Sequence, residues 1–518
     1  MLRHLICLVV PTAIASPVVL NAQAPIWIWA TGFEGSGYVQ LFDIAESSNN
    51  GCFALGWFDQ ELYLPFDTLV SGNGDLAYFI AHLDTLGATT WAAQFSDRIV
   101  SMHGLTNGGL SCLIPYVGST EVNGQLVNSG IAGHSALVVE FDGTGSITSM
   151  VNIPLFLWPG VVDPIRTMHH AEGAGIVVGG SSTDSLFVAG AWLQGSGMFL
   201  ARLTPQGDLI WAQRIGCGTM IDGSVHIDDQ GRILVGVPSG CDPNESDPFP
   251  WNGAVSSYSA IGDLEWHQPY IITPLGDVVV MDRRSNGHAL TTVPYPIPGG
   301  GSEIEVQEFN AVGEPTWSEY VSGTPQIPSY PLSIRATGNG TTLVSGFSAG
   351  ITDFGPWTVT PNGADGYVAS LDSLGSWRWA VLETSGNVYG MSCAPGTNSR
   401  IYTTGWTDTG AFFGSHPANW GNTSLTGFVA CLGDVILSTS DGGALSRTLS
   451  AWPDPAANVL QISLNVDLTQ LVSVTDIRGR SVTDHIGRLS PSSFDISRLS
   501  PGIYVLSAGE QRIRFVKE

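Results

Sequence analysis

Tyr367-Val368-Ala369-Ser370-Leu371-Asp372-Ser373-Leu374-Gly375-Ser376-Trp377-Arg378-Trp379-Ala380 reads as two short β-strands around a polar turn. Apolar residues alternate up to Leu371, Asp372 and Gly375 supply the turn, and large aromatic side chains open the second strand. The same text recurs at Phe79 to Ala92 and Phe199 to Ala212, and more loosely at Tyr258 to Trp266 and Val306 to Trp317. In each copy a Gly precedes a Trp by four positions: Gly87/Trp91, Gly207/Trp211, Gly262/Trp266, Gly313/Trp317 and Gly375/Trp379. A sixth copy, Leu137 to Ser149, keeps Asp142 and Gly145 but has Ser149 in the Trp place.

Upstream of each copy another β-type run ends near a Gly, as at Phe53 to Gly56, Ile176 to Gly179, Ile233 to Gly236, Leu343 to Gly346 and Ile401 to Gly405. The looser runs Leu113 to Gly118 and His288 to Val293 complete a set of seven. No stretch of the body keeps apolar residues at helical spacing for three turns, so the fold class is all-β. Phe428-Val429-Ala430-Cys431-Leu432 is a first strand with no Trp strand after it, while Trp27-Ile28-Trp29-Ala30 is a Trp strand with no partner before it. Joined, the two halves make a seventh hairpin. The expected body is therefore a seven-bladed β-propeller closed by its N- and C-terminal strands, which leaves no unpaired edge. A parallel β-helix, with coils of roughly 20–30 residues, does not fit a period of about sixty.

Trp29, Trp91, Trp211, Trp266, Trp317 and Trp379 are expected to be wedges between neighbouring blades, because a side chain required in nearly every unit serves packing. Each buries ~150–250 Å², worth roughly 4–6 kcal/mol before entropy. The non-repeated Trp158, Trp192, Trp251 and Trp420 lie in variable connections and are the better candidates for recognition.

These units resemble the bacterial β-propeller repeat called SBBP, whose pattern runs as strand, Gly, apolar loop, Gly-x-Asp, aromatic-Val-Ala-x-Leu-Asp, Gly and Trp-Ala. The match is close at Gly363-Ala364-Asp365-Gly366-Tyr367 through Ala380 and at Asp75 through Ala92, and it extends loosely over about 400 residues. The resemblance implies a propeller. It carries no single activity.

The ends of the chain speak of export. Met1 to Ala24 has Arg3 and His4, the apolar run Leu5 to Val10, and Ala22-Gln23-Ala24, the layout of a secretory signal peptide with Ala22 or Ala24 at the cleavage site. Export permits disulfides. Of Cys52, Cys112, Cys217, Cys241, Cys393 and Cys431, the pairs Cys217/Cys241 and Cys393/Cys431 are preferred because each falls within one unit. No C-x-x-C or Cys/His spacing suggests zinc.

Residues 434–448 read as a Ser/Thr/Gly linker, after which 449–518 form a separate domain with balanced charge. Its short strands are expected at Val459 to Leu464, Leu471 to Asp476, Gly502 to Leu506 and Arg512 to Val516, a small Ig-like β-sandwich. Pro453-Asp454-Pro455-Ala456, Val474-Thr475-Asp476-Ile477-Arg478-Gly479-Arg480, the run Phe494 to Leu499, Pro501-Gly502-Ile503-Tyr504-Val505-Leu506 and the basic end at Lys517 resemble the type A C-terminal sorting domain of type IX secretion substrates. That family commonly has Asn where Asp454 stands. The resemblance implies partnership with the type IX secretion machinery, removal of the domain, and attachment of the body to surface lipopolysaccharide. The domains expected are thus a signal at 1–24, a propeller at 25–433, a linker at 434–448 and a sorting domain at 449–518.

Charge bounds the partners. The chain has a net charge of −26, Lys517 is its only lysine, and 12% of its residues are charged. An acidic field without a basic cluster excludes nucleic acid. Gly346-Phe347-Ser348-Ala349-Gly350 matches the G-x-S-x-G elbow, but no helix can follow through Pro356. His169-His170 beside Glu172 has no metal-ligand spacing and reads as a loop pair. Asp228-Asp229 and Asp282 lack the alternation of a calcium loop, so no cofactor is expected beyond weak calcium binding by an acidic exported surface. No catalytic residue is assigned. The leading expectation is a non-catalytic binding or adhesion module for glycan or protein. A polysaccharide hydrolase or lyase using acidic loop residues and a surface structural protein are the alternatives.

Overall fold

The computed structural model describes residues 24–48, 51–72, 75–129, 133–156, 165–216, 224–237, 252–271, 280–297, 301–323, 330–383, 387–408, 410–418 and 425–433, then 450–452, 458–463, 472–476, 480–482, 485–490, 493–508 and 511–517. The chain divides into two compact units, Met1–Val435 and Ile436–Glu518. The expected signal at 1–24, apart from Ala24, and the linker at 434–448 lie outside the described residues, as do Trp158, Trp251, Trp420, Cys217 and Cys241.

Among the described residues of the first unit all strands pair antiparallel, as the alternating pattern requires. The first sheet runs Val39–Glu46, Cys52–Phe58, Ala77–Leu83, Thr89–Phe95; the second Ser101–Gly104, Leu110–Val117, His134–Phe141, Ile147–Phe156. The third comprises Ile165–Ala171, Gly175–Ser182, Gly197–Leu203, Leu209–Gly216; the fourth Ser224–Ile227, Ile233–Val237, Asn252–Tyr258, Leu264–Ile271. The fifth comprises Val280–Arg283, Ala289–Ile297, Gly301–Phe309, Pro315–Gly323; the sixth Tyr330–Ala336, Thr342–Ser348, Asp365–Leu371, Trp377–Glu383. The seventh takes three strands from the end of the body, Val388–Pro395, Ile401–Thr407 and Thr426–Gly433, and its fourth, Ile26–Gly35, from the beginning. The register is Trp27↔Leu432, Trp29↔Cys431 and Ala30↔Ala430, so the two orphan half-hairpins of the sequence pair with each other.

The turn between third and fourth strands repeats in detail. Asp84, Asp142 and Asp372 each accept two backbone N–H bonds through Oδ1, Asp84 from Leu86 and Ala88 at 2.8 and 2.9 Å. Three residues on, Gly87, Gly145, Gly207, Gly262, Gly313 and Gly375 have φ between 84° and 93°, the left-handed residue that creates the bulge after a type I turn.

Apolar clusters lie between consecutive sheets. One joins Phe33, Tyr402 and Val429 of the seventh to Leu41, Phe58 and Phe79 of the first. Others join the first to the second, the second to the third, the third to the fourth and the fifth to the sixth. First strands also meet in order: Val39–Glu46 packs on Ser101–Gly104, and so on through Ile165–Ala171, Ser224–Ile227, Val280–Arg283, Tyr330–Ala336 and Val388–Pro395, which packs on Val39–Glu46.

Besides the two-residue strands Phe412–Phe413 and His416–Pro417, which pair as a sheet of their own, four small hairpins were not foreseen from the sequence. Glu61–Tyr63 with Thr68–Val70 pairs with Ile26–Gly35; Ser119–Val122 with Gln125–Asn128 pairs with Thr89–Phe95. Leu186–Val188 with Ala191–Leu193 pairs with Ile147–Phe156, and Thr352–Phe354 with Trp357–Val359 pairs with Pro315–Gly323. Each leaves its own sheet between second and third strands and adds to the outer strand of the preceding sheet. That both covers an outer edge and ties neighbours together.

Cys52, Cys112, Cys393 and Cys431 are buried free thiols. The expected Cys393/Cys431 pairing is therefore corrected. Cys393 faces Thr403, and Thr403 faces Ala430, so a whole strand stands between the two cysteines. Two inter-strand steps of ~4.8 Å exceed the ~7 Å Cα reach of a disulfide.

The second unit contains two antiparallel sheets. Ser450–Trp452, Val459–Ser463, Gly487–Ser490 and Ser493–Asp495 form one; Val472–Asp476, Gly502–Ala508 and Gln511–Lys517 form the other. Leu460 and Phe494 from the first share a core with Val474, Tyr504, Leu506 and Phe515 from the second.

Candidate functional site

The seven first strands converge on a common cavity of about 370 Å³ and each contributes residues to its lining. Proceeding round it, His103, His169 and His226 come from the second, third and fourth sheets, Asp282 from the fifth, Arg335 from the sixth and Asp43 from the first. Ser392 of the seventh donates to Asp43 Oδ1 at 3.0 Å. The lining divides into an imidazole arc and an ionic arc.

In the imidazole arc the rings touch in sequence, His103 to His169 at 4.5 Å and His169 to His226 at 4.7 Å between centroids. Carbonyl acceptors fix the tautomers: His103 Nε2–H donates to Met168 O at 2.5 Å and His226 Nε2–H to Met281 O at 3.1 Å. His169 Nδ1 accepts from the Ile227 N–H at 3.3 Å, so its proton is on Nε2. Burial lowers the proton affinity of all three; neighbouring imidazoles add to it at His103 and His169, while Asp282 opposes it at His226; His103 is held down at about 3 and His169 well below its ordinary range. At neutral pH the arc is uncharged.

In the ionic arc, Arg335 lies 3.5 Å from Asp43, and Asp282 lies 3.5 Å from His226 Nδ1 while accepting from the Ala336 N–H at 2.6 Å. Burial raises the Asp43 carboxyl, with Arg335 and Ser392 opposing. Among the described residues no three His, Cys, Asp or Glu side chains are arranged to hold one metal ion.

A second cavity, of about 630 Å³, shares Glu46, Ala336 and Pro395 with the first. It is bordered by Pro25, Asn339, Arg378, Trp379 and Arg400. Its position follows from the repeat. Trp29, Trp91, Trp211, Trp266 and Trp317 each lie against the turn glycine of the following sheet: Gly87, Gly145, Gly262, Gly313 and Gly375. The first four also donate the indole N–H to a carbonyl of that turn, at 3.0 to 3.2 Å; Trp317 donates instead to Glu308 Oε2 at 2.6 Å. Gly207, which follows the unit with Ser149, rests on Val151. Trp379 has no such turn above it, because the third and fourth strands of the seventh sheet come from opposite ends of the body. The cavity opens at this seam.

Other candidates of the sequence lie elsewhere. Ser348 is fully buried and donates to Gly350 O at 2.8 Å, with a hairpin rather than a helix after it, so the elbow chemistry is excluded. His169-His170 is not a loop pair but part of the strand Ile165–Ala171: His169 joins the arc, and His170 turns the other way, 3.4 Å from Glu140. Asp228 binds Arg232 and Arg283 at 3.0 Å each. Trp192 is half exposed and touches Phe156 and Phe187 on the hairpin at the edge of the second sheet.

In the second unit, Asp476 pairs with Tyr504 and Gly502 with Lys517 across neighbouring strands. Leu499 and Tyr504 are buried, and the Tyr504 hydroxyl donates to Ser500 O at 2.7 Å. Pro453, Asp454, Pro455 and Gly479 lie outside the described residues.

No curated protein matches the chain. Among solved structures, a protein of unknown function from Dyadobacter fermentans is similar at 10% identity and TM-score 0.34, covering 78% of this chain and 98% of that one. Sqt1 from Chaetomium thermophilum is similar at 10% identity and TM-score 0.39, covering 77% and 87%; a gluconolactonase from Xanthomonas campestris at 11% and 0.29, covering 79% and 88%. At these TM-scores the likenesses carry no functional argument. The terminal segment is different: residues 450–518 match the secretion system C-terminal sorting domain, and this domain supports export through type IX secretion.

Proposed function

We propose that the chain is an exported seven-bladed β-propeller of SBBP type that binds a glycan or protein ligand at or beyond the cell surface without transforming it. The sorting-domain match at 450–518 carries the export half of this reading. A signal peptide at 1–24 would bring the chain to the periplasm, the type IX machinery would pass it outward, and removal of an Ig-like sorting domain would release the body or leave it on lipopolysaccharide. Supporting the propeller are the pairing of Ile26–Gly35 with Thr426–Gly433 and the cyclic order of first-strand contacts. The repeated indoles fit the role of wedges, since each of five meets the turn of the next sheet.

The binding half rests on the seam cavity, whose about 630 Å³ lies within the ~300–1,000 Å³ of small-molecule sites. Arg378 and Asn339 offer donors there and Trp379 an apolar wall. A hydrolase or lyase is the second reading, favoured by Asp43 and Asp282 lining one cavity. Binding is preferred because both carboxylates are already engaged, Asp43 by Arg335 and Ser392, Asp282 by backbone N–H groups.

The test applies the purified body to a glycan and protein array beside a polysaccharide-cleavage panel, with Arg378→Ala in parallel. Expected is stable binding to one ligand class, weakened about tenfold by loss of one charge-assisted bond. Product release without stable binding would overturn the proposal.

A further inference from the structure

Two guanidiniums border the seam cavity, Arg378 from the fourth strand of the sixth sheet and Arg400 from the turn between the first and second strands of the seventh. Elsewhere in the body Arg232, Arg283, Arg284 and Arg335 are each matched by a carboxylate at 3.0 to 3.5 Å. Arg378 and Arg400 are not. Among the described residues neither reaches a carboxylate; Arg400 donates one N–H to Thr85 O, and the exposed Arg378 has no hydrogen-bond partner.

The remaining lining is mostly polar. Asn339 Oδ1 accepts from the Thr341 N–H at 3.1 Å and from the Thr337 and Thr341 hydroxyls at 2.5 and 2.9 Å, which leaves the amide Nδ2 as a free donor. Glu46 of the first sheet has no partner for its carboxylate among the described residues, and burial raises that carboxyl. Trp379 is the one aromatic ring in the lining among the described residues. A peptide partner is anchored by aromatic or aliphatic side chains in apolar recesses. A wall of amide, hydroxyl, carboxylate and guanidinium groups suits instead a ligand that carries many hydroxyls. The chain's net charge of −26 repels densely charged polyanions, so the acid groups of that ligand are few and are met locally.

We propose, resting on the reading of the seam cavity as the binding site, that it selects a saccharide through one acidic sugar: the carboxylate of a uronic acid meets Arg378 and Arg400, the ring hydroxyls donate to Glu46 and accept from Asn339 Nδ2, and Trp379 backs the ring. A guanidinium presents two parallel N–H donors to a planar carboxylate, a match of charge and geometry that a neutral sugar does not offer. Both guanidiniums and the Glu46 carboxylate then gain the partners they lack in the free protein.

The experiment titrates the full chain by calorimetry with trisaccharides of galacturonic, glucuronic and mannuronic acid, with their methyl esters, and with neutral and sulfated trisaccharides. Expected is binding of at least one uronate, with its methyl ester weaker by tenfold or more. Arg378→Ala should weaken the acid about tenfold and leave the ester unchanged, and Arg378→Lys should recover only part of the loss. Arg400→Ala gives a second, independent readout of the same kind. Equal affinity for acid, ester and neutral sugar would overturn this proposal, as would an unaltered acid affinity in folded Arg378→Ala or binding of sulfated sugars alone. A chain that binds only a neutral glycan or only a protein would also overturn it, yet would leave the broader binding reading standing. Cleavage of the trisaccharides without stable binding would overturn both.

Discussion

At the scale of single residues, the repeat is held by a glycine that has two separate reasons to be glycine. Gly375 sits at φ 87°, and a Cβ there would come within 2.7 Å of the Trp317 ring. Gly173 shares the backbone strain, at φ 81°, but has open space around it. Gly173→Ala is therefore expected to cost about 1 kcal/mol from backbone strain alone. Gly375→Ala should cost roughly 2–4 kcal/mol, because the indole must also move. Denaturant titration of both variants checks the difference, and equal costs would mean that the ring contact contributes nothing.

The imidazole arc makes a second residue-scale prediction. His103, His169 and His226 have folded-state proton affinities below the ordinary value of 6.5. In the window from about 6.5 down to about 3 the unfolded chain takes up protons that the folded chain refuses, so stability is full above the window and drains as pH falls, by up to ~1.4 kcal/mol per unit per histidine. Asp282 opposes this at His226, while Arg335 reinforces it at all three. Melting temperature is expected to drop between pH 7 and 4, and His169→Asn should flatten the slope. A slope unchanged in that variant would place the titrating groups elsewhere.

At the scale of elements, the seventh sheet depends on a strand from the far end of the body. Ile26–Gly35 supplies Trp29 and Phe33 to the cluster shared with the first sheet, and together they represent roughly 8–12 kcal/mol of apolar burial before entropy. Deleting residues 25–35 is expected to leave Thr426–Gly433 as an exposed apolar edge and to produce aggregation on expression. A synthetic peptide of residues 24–35 added during refolding should rescue soluble protein, measured by size-exclusion chromatography. Soluble, monomeric truncated protein without peptide would contradict the role given to this strand.

This strand was legible because Trp27 and Trp29 repeat the spacing of Trp377 and Trp379. The edge hairpins were not, since three- and four-residue strands such as Leu186–Val188 and Ser119–Val122 contain too few alternations to show a period of two. The histidine arc was hidden for another reason. His103, His169 and His226 stand among other polar residues of the first strands, and the repeat signal lies in the later strands. Only the packing of successive first strands makes them neighbours.

At the scale of the whole molecule, address and body are encoded in separable units. The body ends before residue 436, its clusters close among its own sheets, and the sorting-domain match begins at 450. The second unit has its own core of Leu460, Val474, Phe494, Tyr504, Leu506 and Phe515. Removing residues 450–518 should therefore leave the melting temperature of the body within a few degrees of the full chain, since each unit has an apolar core of its own. The same deletion should abolish export, so that fractionated cells retain the body inside the outer membrane while the full chain appears on the surface or in the medium. A body that melts much earlier would show that the units stabilise each other. Undiminished surface display of the truncated chain would mean that export is directed by something other than the C-terminal domain, and the strongest functional signal in the molecule would have to be reassigned.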